Sequence, residues 1–381
     1  MKLSIGIVGL PNVGKSTLFN ALLKKQVANV ANYPFCTIEP NVGIIEVPDE
    51  RLPILAKIVN TTKIVPAVVE FYDIAGLVHG ASKGEGLGNK FLSHIREVEA
   101  IVHVVRLFED SNVVHVSPQI NPVDDIKTIE TELILADLQT LEKVKSQKSK
   151  VKNESEKLKV EEAEKLINIL NEGTPARNVN LTDDQKDAIK PLNLLTSKPV
   201  IYVFNISEEQ LQNKEEVSKK ITEILSVIAS EAKQSQKEIT SSPTAPRNDN
   251  FLYLCAKMEA EVVAFSPEEQ KEYLKGFGLE ESGLNRLIKK AYEALELISF
   301  LTARTLETRA WTIKKGWLAP QAAGTIHTDF EKKFIKADVI PYQKFVDAGG
   351  WIKAREQGLV QTVGKDYEMK EGEVVEFKIG A

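Results

Sequence analysis

The chain has 381 residues, which at roughly 150 per domain means two to three domains and a sizeable core, and excludes a disulfide-stapled peptide. Hydrophobic residues at 43% and charged residues at 27% exclude a mostly disordered or fibrous chain. A net charge of −5 leaves no global nucleic-acid footprint, so any such binding must use a local patch. No apolar run approaches the roughly 18 residues of a membrane span, and the first residues go straight into strand-like sequence, so a cytoplasmic protein with no membrane partner is expected. Cys36 and Cys255 lie far apart without metal-ligand spacing and are expected as reduced thiols.

Short apolar runs at Leu3 to Val8, Val42 to Val47, Val68 to Tyr72 and Ile101 to Val105 read as strands, and the helical patterns between them predict a buried parallel sheet. After Val123 the sequence turns to Lys- and Glu-rich helical periodicity, with Ile126, Ile129 and Leu133 on one face. Val144, Val151 and Leu158 then follow at seven-residue spacing, the pattern of a helical hairpin or coiled coil. The lysines around Lys143 to Lys159 fit either a binding arm or a plain solvated helix pair. Strand character returns at Lys198 to Phe204 and Phe251 to Leu254, so the helices read as an insertion within the first domain. A helix-like run ends near Ser230, and the polar stretch from Lys233 to Asn250 cannot bury a core and reads as a surface loop. Helical patterns run from Pro267 to about Ile298. The last 80 or so residues, with a strand at Ala310 to Ile313, a helix at Thr328 to Lys336 and a terminal run at Tyr367 to Ile379, read as a small α+β domain.

Gly9-Leu10-Pro11-Asn12-Val13-Gly14-Lys15-Ser16 follows an apolar strand and opens the helical pattern Thr17 to Leu23. That is the strand, G-x-x-x-x-G-K-[ST], helix arrangement of a phosphate-binding loop. Backbone amides from Asn12 to Thr17 are expected to close around the phosphates, Lys15 to reach the β and γ oxygens, and the Ser16 hydroxyl to ligate magnesium. Asp73-Ile74-Ala75-Gly76 ends the third predicted strand, placing Asp73 to hold magnesium and the Gly76 amide to sense the γ-phosphate. Gly80, Gly84, Gly86 and Gly88 follow in a loop that is either plainly flexible or ordered by nucleotide. Thr37, between the first helix and the second strand, is placed by motif order to give magnesium a second protein hydroxyl.

The base-reading position departs from the N-K-x-D of a standard GTPase. It reads Asn205-Ile206-Ser207-Glu208, with the Lys gone and the acid one methylene longer. Asn205 keeps an amide able to pair with the donor and acceptor edge of adenine, so selectivity should tilt toward ATP. Cys255-Ala256-Lys257 stands where an S-A-K loop backs the base with main-chain amides.

These elements in this order resemble the Obg-like ATPases, the YchF family of translation-factor-type P-loop proteins. The resemblance spans nearly the whole chain: G-L-P-N-V-G-K-S-T, N-Y-P-F-C-T-I-E-P from Asn32, D-I-A-G-L-V-H-G-A-S-K-G-E-G-L-G-N from Asp73, N-I-S-E, and Ala319-Pro320-Gln321-Ala322-Ala323-Gly324 through His327-Thr328-Asp329-Phe330. It implies an α/β P-loop G domain (1–125 and 193–296) interrupted by a helical coiled-coil insertion (126–192), then a C-terminal α+β TGS domain of β-grasp form (297–381). It also implies ATP hydrolysis preferred over GTP and association with the ribosome, through its large subunit or as a whole. The stretch from about Ser230 to Asn250 is longer than the family pattern and reads as a later insertion.

Many small GTPases orient the attacking water with a Gln directly after D-x-x-G. That position is Leu77, so intrinsic hydrolysis is expected to be slow. The family places a His in the loop after the fourth strand in that role, which is His115 in this sequence; a loop His with no catalytic part is the other reading. His79 and His103 are weaker candidates, the latter as a packed core His. Asn12 resembles the Asn of relatives that bind potassium beside the phosphates. Two roles stay open: a hydrolytic switch on the ribosome, or a nucleotide-gated adaptor with incidental turnover, with a GTPase of related fold as the alternative on substrate. Nothing in the sequence demands a dimer.

Overall fold

The computed structural model describes residues 3–29, 41–74, 86–110, 120–147, 153–234 and 251–380. They form two compact units, Met1–Lys24 with Glu39–Gly43 and Phe71–Leu287, and Lys25–Ile38 with Ile44–Glu70 and Ile288–Ala381. Among the described residues the strands run in chain order β1 (Ser4–Val8), β2 (Val42–Glu46), β3 (Ile64–Val65), β4 (Val68–Asp73), β5 (Ala100–Arg106), β6 (Val200–Asn205), β7 (Phe251–Leu254), β8 (Leu297–Ala303), β9 (Thr308–Lys314), β10 (Phe334–Pro341), β11 (Gln361–Val363) and β12 (Glu373–Ile379). One sheet has the order β2-β4-β1-β5-β6-β7 and the other β11-β10-β12-β8-β9-β3.

In the first sheet β1, β5, β6 and β7 are parallel neighbours, in registers such as Val8↔His103, Arg106↔Asn205 and Asn205↔Leu254. Every residue of β1, β5 and β6 is buried, which is why these runs read as continuously apolar rather than alternating. Each fully buried Ile or Val contributes about 1.5–3 kcal/mol of transfer free energy, so this sheet is the spine of its unit.

Between β5 and β6 lie the helices Pro122–Ser146 and Glu154–Asn171, each started by an Asn whose side chain accepts amide hydrogens of the first turn. The expected helix pair is there, but its seam is not the seven-residue series. Val144 sits at the margin and Val151 lies outside the described residues; Val160, Ala163, Ile167 and Leu170 carry the buried stripe, facing Ile134 and Leu141. Their alternating three- and four-residue spacing keeps one helical face inward, which a run of lysines and serines cannot do.

Other boundaries shift. The helix expected to end near Ser230 continues to Gln234. The Pro267 to Ile298 pattern divides into helices Pro267–Gly276 and Gly283–Ala294, after which β8 begins at Leu297. The helix expected over Thr328 to Lys336 stops at Lys332, because Phe334, Ala337, Val339 and Ile340 are core residues of β10. The terminal strand starts at Glu373 rather than Tyr367, whose hydroxyl instead donates to Glu373 at 2.5 Å.

In the second sheet β8 and β9 form an antiparallel hairpin, β12 runs parallel to β8, and β10 pairs antiparallel with both β12 and β11. The helix Ala319–Ile326 lays Ala319, Ala322 and Ala323 on a core of Phe300, Ile313 and Phe377. Its outer strand β3 comes from early in the chain: Ile64 and Val65 pair with Thr308 and Arg309, and the Thr308 amide donates to the Lys63 carbonyl at 2.9 Å. Lys63 and Glu307 form an ion pair beside it at 2.6 Å, and Arg51 bridges Asp49 and Glu371 at 2.8 and 2.7 Å.

Candidate nucleotide site

The chain leaves β1 at Val8 and turns through residues 9–14 into the helix Lys15–Asn29. Gly9 has φ +153°, and a Cβ there would stand 2.5 Å from the Val104 carbonyl oxygen of the neighbouring strand. Gly14 has φ +99°, and a Cβ there would run into the Asn205 amide. Both positions therefore demand glycine on two counts. Asn12 is also left-handed, at φ 60°, a conformation Asn tolerates. The turn delivers a helix N-terminus whose first amides have no intrahelical acceptors, a ready anion site. Asn12, Ser16 and Thr17 are exposed there, while Val13 is buried beneath.

Lys15 is only 7% exposed, and its Nζ donates to the Leu10 carbonyl at 2.6 Å. Burial pulls the ammonium down to about 8, against the opposing pull of the Asp73 carboxylate. The Asp73 carboxyl is in turn pushed up by burial, with the Lys15 charge and a hydrogen bond from Ser16 holding it back. The fold thus brings together three residues that the sequence reading assigned to phosphate and magnesium. Ser16 and Asp73 present hard oxygen donors of the kind magnesium takes. Among the described residues no group of three or more His, Cys, Asp and Glu side chains gathers in a metal-holding cluster.

At the opposite end, Asn205 closes β6. Its Nδ2 donates to the Val13 carbonyl at 2.9 Å and its Oδ1 accepts from the Ala256 amide at 3.0 Å. The amide is 5% exposed and ties the phosphate loop to the 255–256 turn, so both ends that would meet a base edge already have protein partners. Ile206 is buried, with its amide donating to the Leu254 carbonyl at 2.9 Å. Ser207 caps the helix Glu208–Gln212 in a reciprocal capping box with Gln210. Glu208 is half exposed and paired with Lys257 at 3.2 Å. Cys255 is a buried free thiol, pushed up chiefly by burial, and stands at the N-terminus of the helix Ala256–Val262.

Sequence reasoning missed Arg106. It is 1% exposed at the end of β5, its Nε and Nη2 donate to the Phe108 and Asp110 carbonyls at 3.1 and 3.2 Å, and its guanidinium lies over the Phe108 ring at 4.4 Å. A single Arg after an apolar strand carries no signal that it will be buried. His103 is the packed core residue expected: burial first, then the Arg177 and Lys15 charges, hold it down to about 3, so it stays neutral. Thr37, Gly76, Leu77, His79, His115 and Cys36 lie outside the described residues. Among the described residues no helix is long and apolar enough to cross a membrane.

Comparison with known proteins gives two family matches. A family described as 50S ribosome-binding GTPase matches residues 4–132, and YchF-GTPase_C, described as a protein of unknown function, matches residues 297–380. The chain thus carries a P-loop GTPase domain followed by a YchF-type C-terminal domain. The ribosome-binding ATPase YchF of Bacillus subtilis is 48% identical over 381 residues, and that of Escherichia coli O157:H7 is 45% identical over 380; each alignment covers 99% of both chains. A solved structure described as the Schizosaccharomyces pombe YchF GTPase superposes with a TM-score of 0.86 at 36% identity, covering 99% of this chain and 98% of that one.

Proposed function

The chain belongs to the YchF family, and from that premise we propose that it hydrolyses ATP to ADP and phosphate as a ribosome-associated switch. The observation that carries this reading is the meeting of Lys15, Ser16 and Asp73 around an open helix N-terminus. Phosphates would displace the Leu10 carbonyl from Lys15, whose charge then sits on the β and γ oxygens and stabilises the transferred phosphoryl group. P-loop domains generally use magnesium, and Ser16, Asp73 and Thr37 are the residues that would hold it; bound there, it neutralises developing phosphate charge. Asn12 would add potassium beside the phosphates, and the amides of Val13 to Thr17 and of Gly76 would fix the oxygens. With Leu77 unable to bond water, His115 takes the positioning role and intrinsic turnover is slow.

ATP is the preferred nucleotide, because Glu208 is paired with Lys257 and Asn205 is engaged by the protein, leaving guanine without its short Asp. Ile206, Cys255 and Ala256 then back the base. Residues 126–192 form a coiled-coil arm inserted between G-domain parts 1–125 and 193–296, and 297–381 is a TGS domain; the parallel β8 and β12 beside a helix-crossed hairpin support the β-grasp reading. The exposed Lys143, Lys145 and Lys157 on the arm and Lys332, Lys333 and Lys336 on the tail would meet ribosomal phosphates. The protein works as a cytoplasmic monomer.

Measuring ATP and GTP turnover with and without 70S ribosomes tests this. ATP hydrolysis stimulated by ribosomes is expected; a tenfold preference for GTP would make it a GTPase, and turnover blind to ribosomes would leave it an adaptor.

A further inference from the structure

The helix Gly86–Glu97 follows the Asp73 segment, and the nucleotide reading does not use its C-terminal end. That end is fastened at three points. The Arg96 carbonyl accepts from Asn193 Nδ2 at 2.8 Å and from Lys198 Nζ at 3.2 Å. Lys198 Nζ also donates to the Val98 carbonyl at 2.5 Å and to Asn193 Oδ1 at 3.1 Å. The Arg96 guanidinium adds a bridge, its Nη1 donating to the Asn193 carbonyl at 3.5 Å and its Nη2 to Thr140 Oγ1 on the helix Pro122–Ser146 at 3.0 Å.

Lys198 is 6% exposed, and burial pulls its ammonium down from the usual lysine range. A buried cation without acceptors is strongly destabilised, so Lys198 must stay with the carbonyls it caps. Asn193 holds a left-handed turn at φ 47°, aiming its amide at the same carbonyl. One turn before Thr140, the fully buried Asp137 accepts from the Leu195 amide at 2.9 Å and from the Thr196 amide and hydroxyl at 2.7 Å each. Residues 193–198 are therefore bonded to the helix after Asp73 on one side and to the helical pair on the other. A slide of the first helix by about an ångström breaks bonds of this length unless the second follows, because packed interfaces shift between discrete arrangements.

We propose that Arg96, Asn193 and Lys198 form a joint that makes the helical pair 122–171 respond to the nucleotide state, with the Arg96 to Thr140 bond as its link. Arg96 and Lys198 are positioning residues here, acting on the arm and not on the phosphates. The proposal rests on the ATP-binding reading, and the two fail separately.

The test uses the full chain, with amide hydrogen exchange followed by mass spectrometry in magnesium with ADP and with a non-hydrolysable ATP analogue, for wild type, Thr140→Val and Lys198→Met. Affinity for the analogue is measured on the same preparations. In wild type, amides over 131–146 should exchange at rates differing at least about threefold between nucleotides. Thr140→Val should cut that difference to less than half while analogue affinity stays within about twofold, which separates coupling from binding. Lys198→Met should abolish it; if that variant does not fold, Thr140→Val decides alone. Identical wild-type exchange in both nucleotides, or a full difference retained in Thr140→Val, would overturn the joint. Absence of any analogue binding would remove the ATPase reading and the joint with it.

Discussion

The two ends of the nucleotide site are built on different principles. The phosphate end is main chain and buried charge: two glycines that no side chain can replace, and a lysine that burial pulls down to about 8 beside a carboxyl that burial pushes up. The base end is a clasp, one amide joining two loops, with an exposed ion pair outside it. The first end stores electrostatic free energy that an incoming phosphate releases. The second holds a shape, and its exposed pair is free to rearrange.

The contrast breaks most easily at Lys15. Lys15→Ala should lower ATP turnover by at least about 100-fold, as loss of one buried donor to developing charge does elsewhere, measured by phosphate release. Asn205→Ala comes next: it orphans the Val13 carbonyl and the Ala256 amide, worth about 1–3 kcal/mol each when buried, so ATP and GTP affinities should fall together by calorimetry. A loss confined to ATP would instead mean that Asn205 reads adenine.

A pH series sharpens the electrostatic half. Lys15 is lowered to about 8, so it is charged below that pH and neutral above it. Phosphate binding needs the charged form, so affinity should weaken by up to about tenfold per unit above pH 8, with proton uptake on binding between pH 8 and 9. Titration in two buffers of different ionisation enthalpy reads that uptake, and Lys15→Ala should lack it. The smallest effect belongs to Lys257→Met. Its pair with Glu208 is solvent-exposed, so the ATP-to-GTP affinity ratio should move by less than about fivefold, toward GTP.

The phosphate end was legible because its signal is local: a buried strand, a fixed glycine spacing and a helix start within one stretch of sequence. The first sheet was legible for a similar reason, since strands buried on both faces are apolar throughout. The Asn205 clasp was not, because the same amide in the same motif fits a base edge or a carbonyl, and only the fold places Val13 and Ala256 within reach. Arg106 and the Lys198 joint share that limit: each looks like a surface cation until the fold buries it among carbonyls, local ones for Arg106 and distant ones for Lys198. In the second unit the helical pattern of Thr328 to Lys336 runs over the first residues of β10, because Lys332, Lys333 and Lys336 mask where the core spacing changes. β3 is two residues long and carries no pattern of its own.

That short strand has a consequence for how the chain is made. β3 and β4 are separated only by Pro66 and Ala67, yet they belong to different sheets. During synthesis Ile64 and Val65 emerge with the first sheet's strands, and their partner β9 is not translated until more than half of the chain has followed. Ile64 and Val65 are consequently without their strand partner for most of translation, and a C-terminal fragment cut at Leu297 begins life with a bare edge along β9.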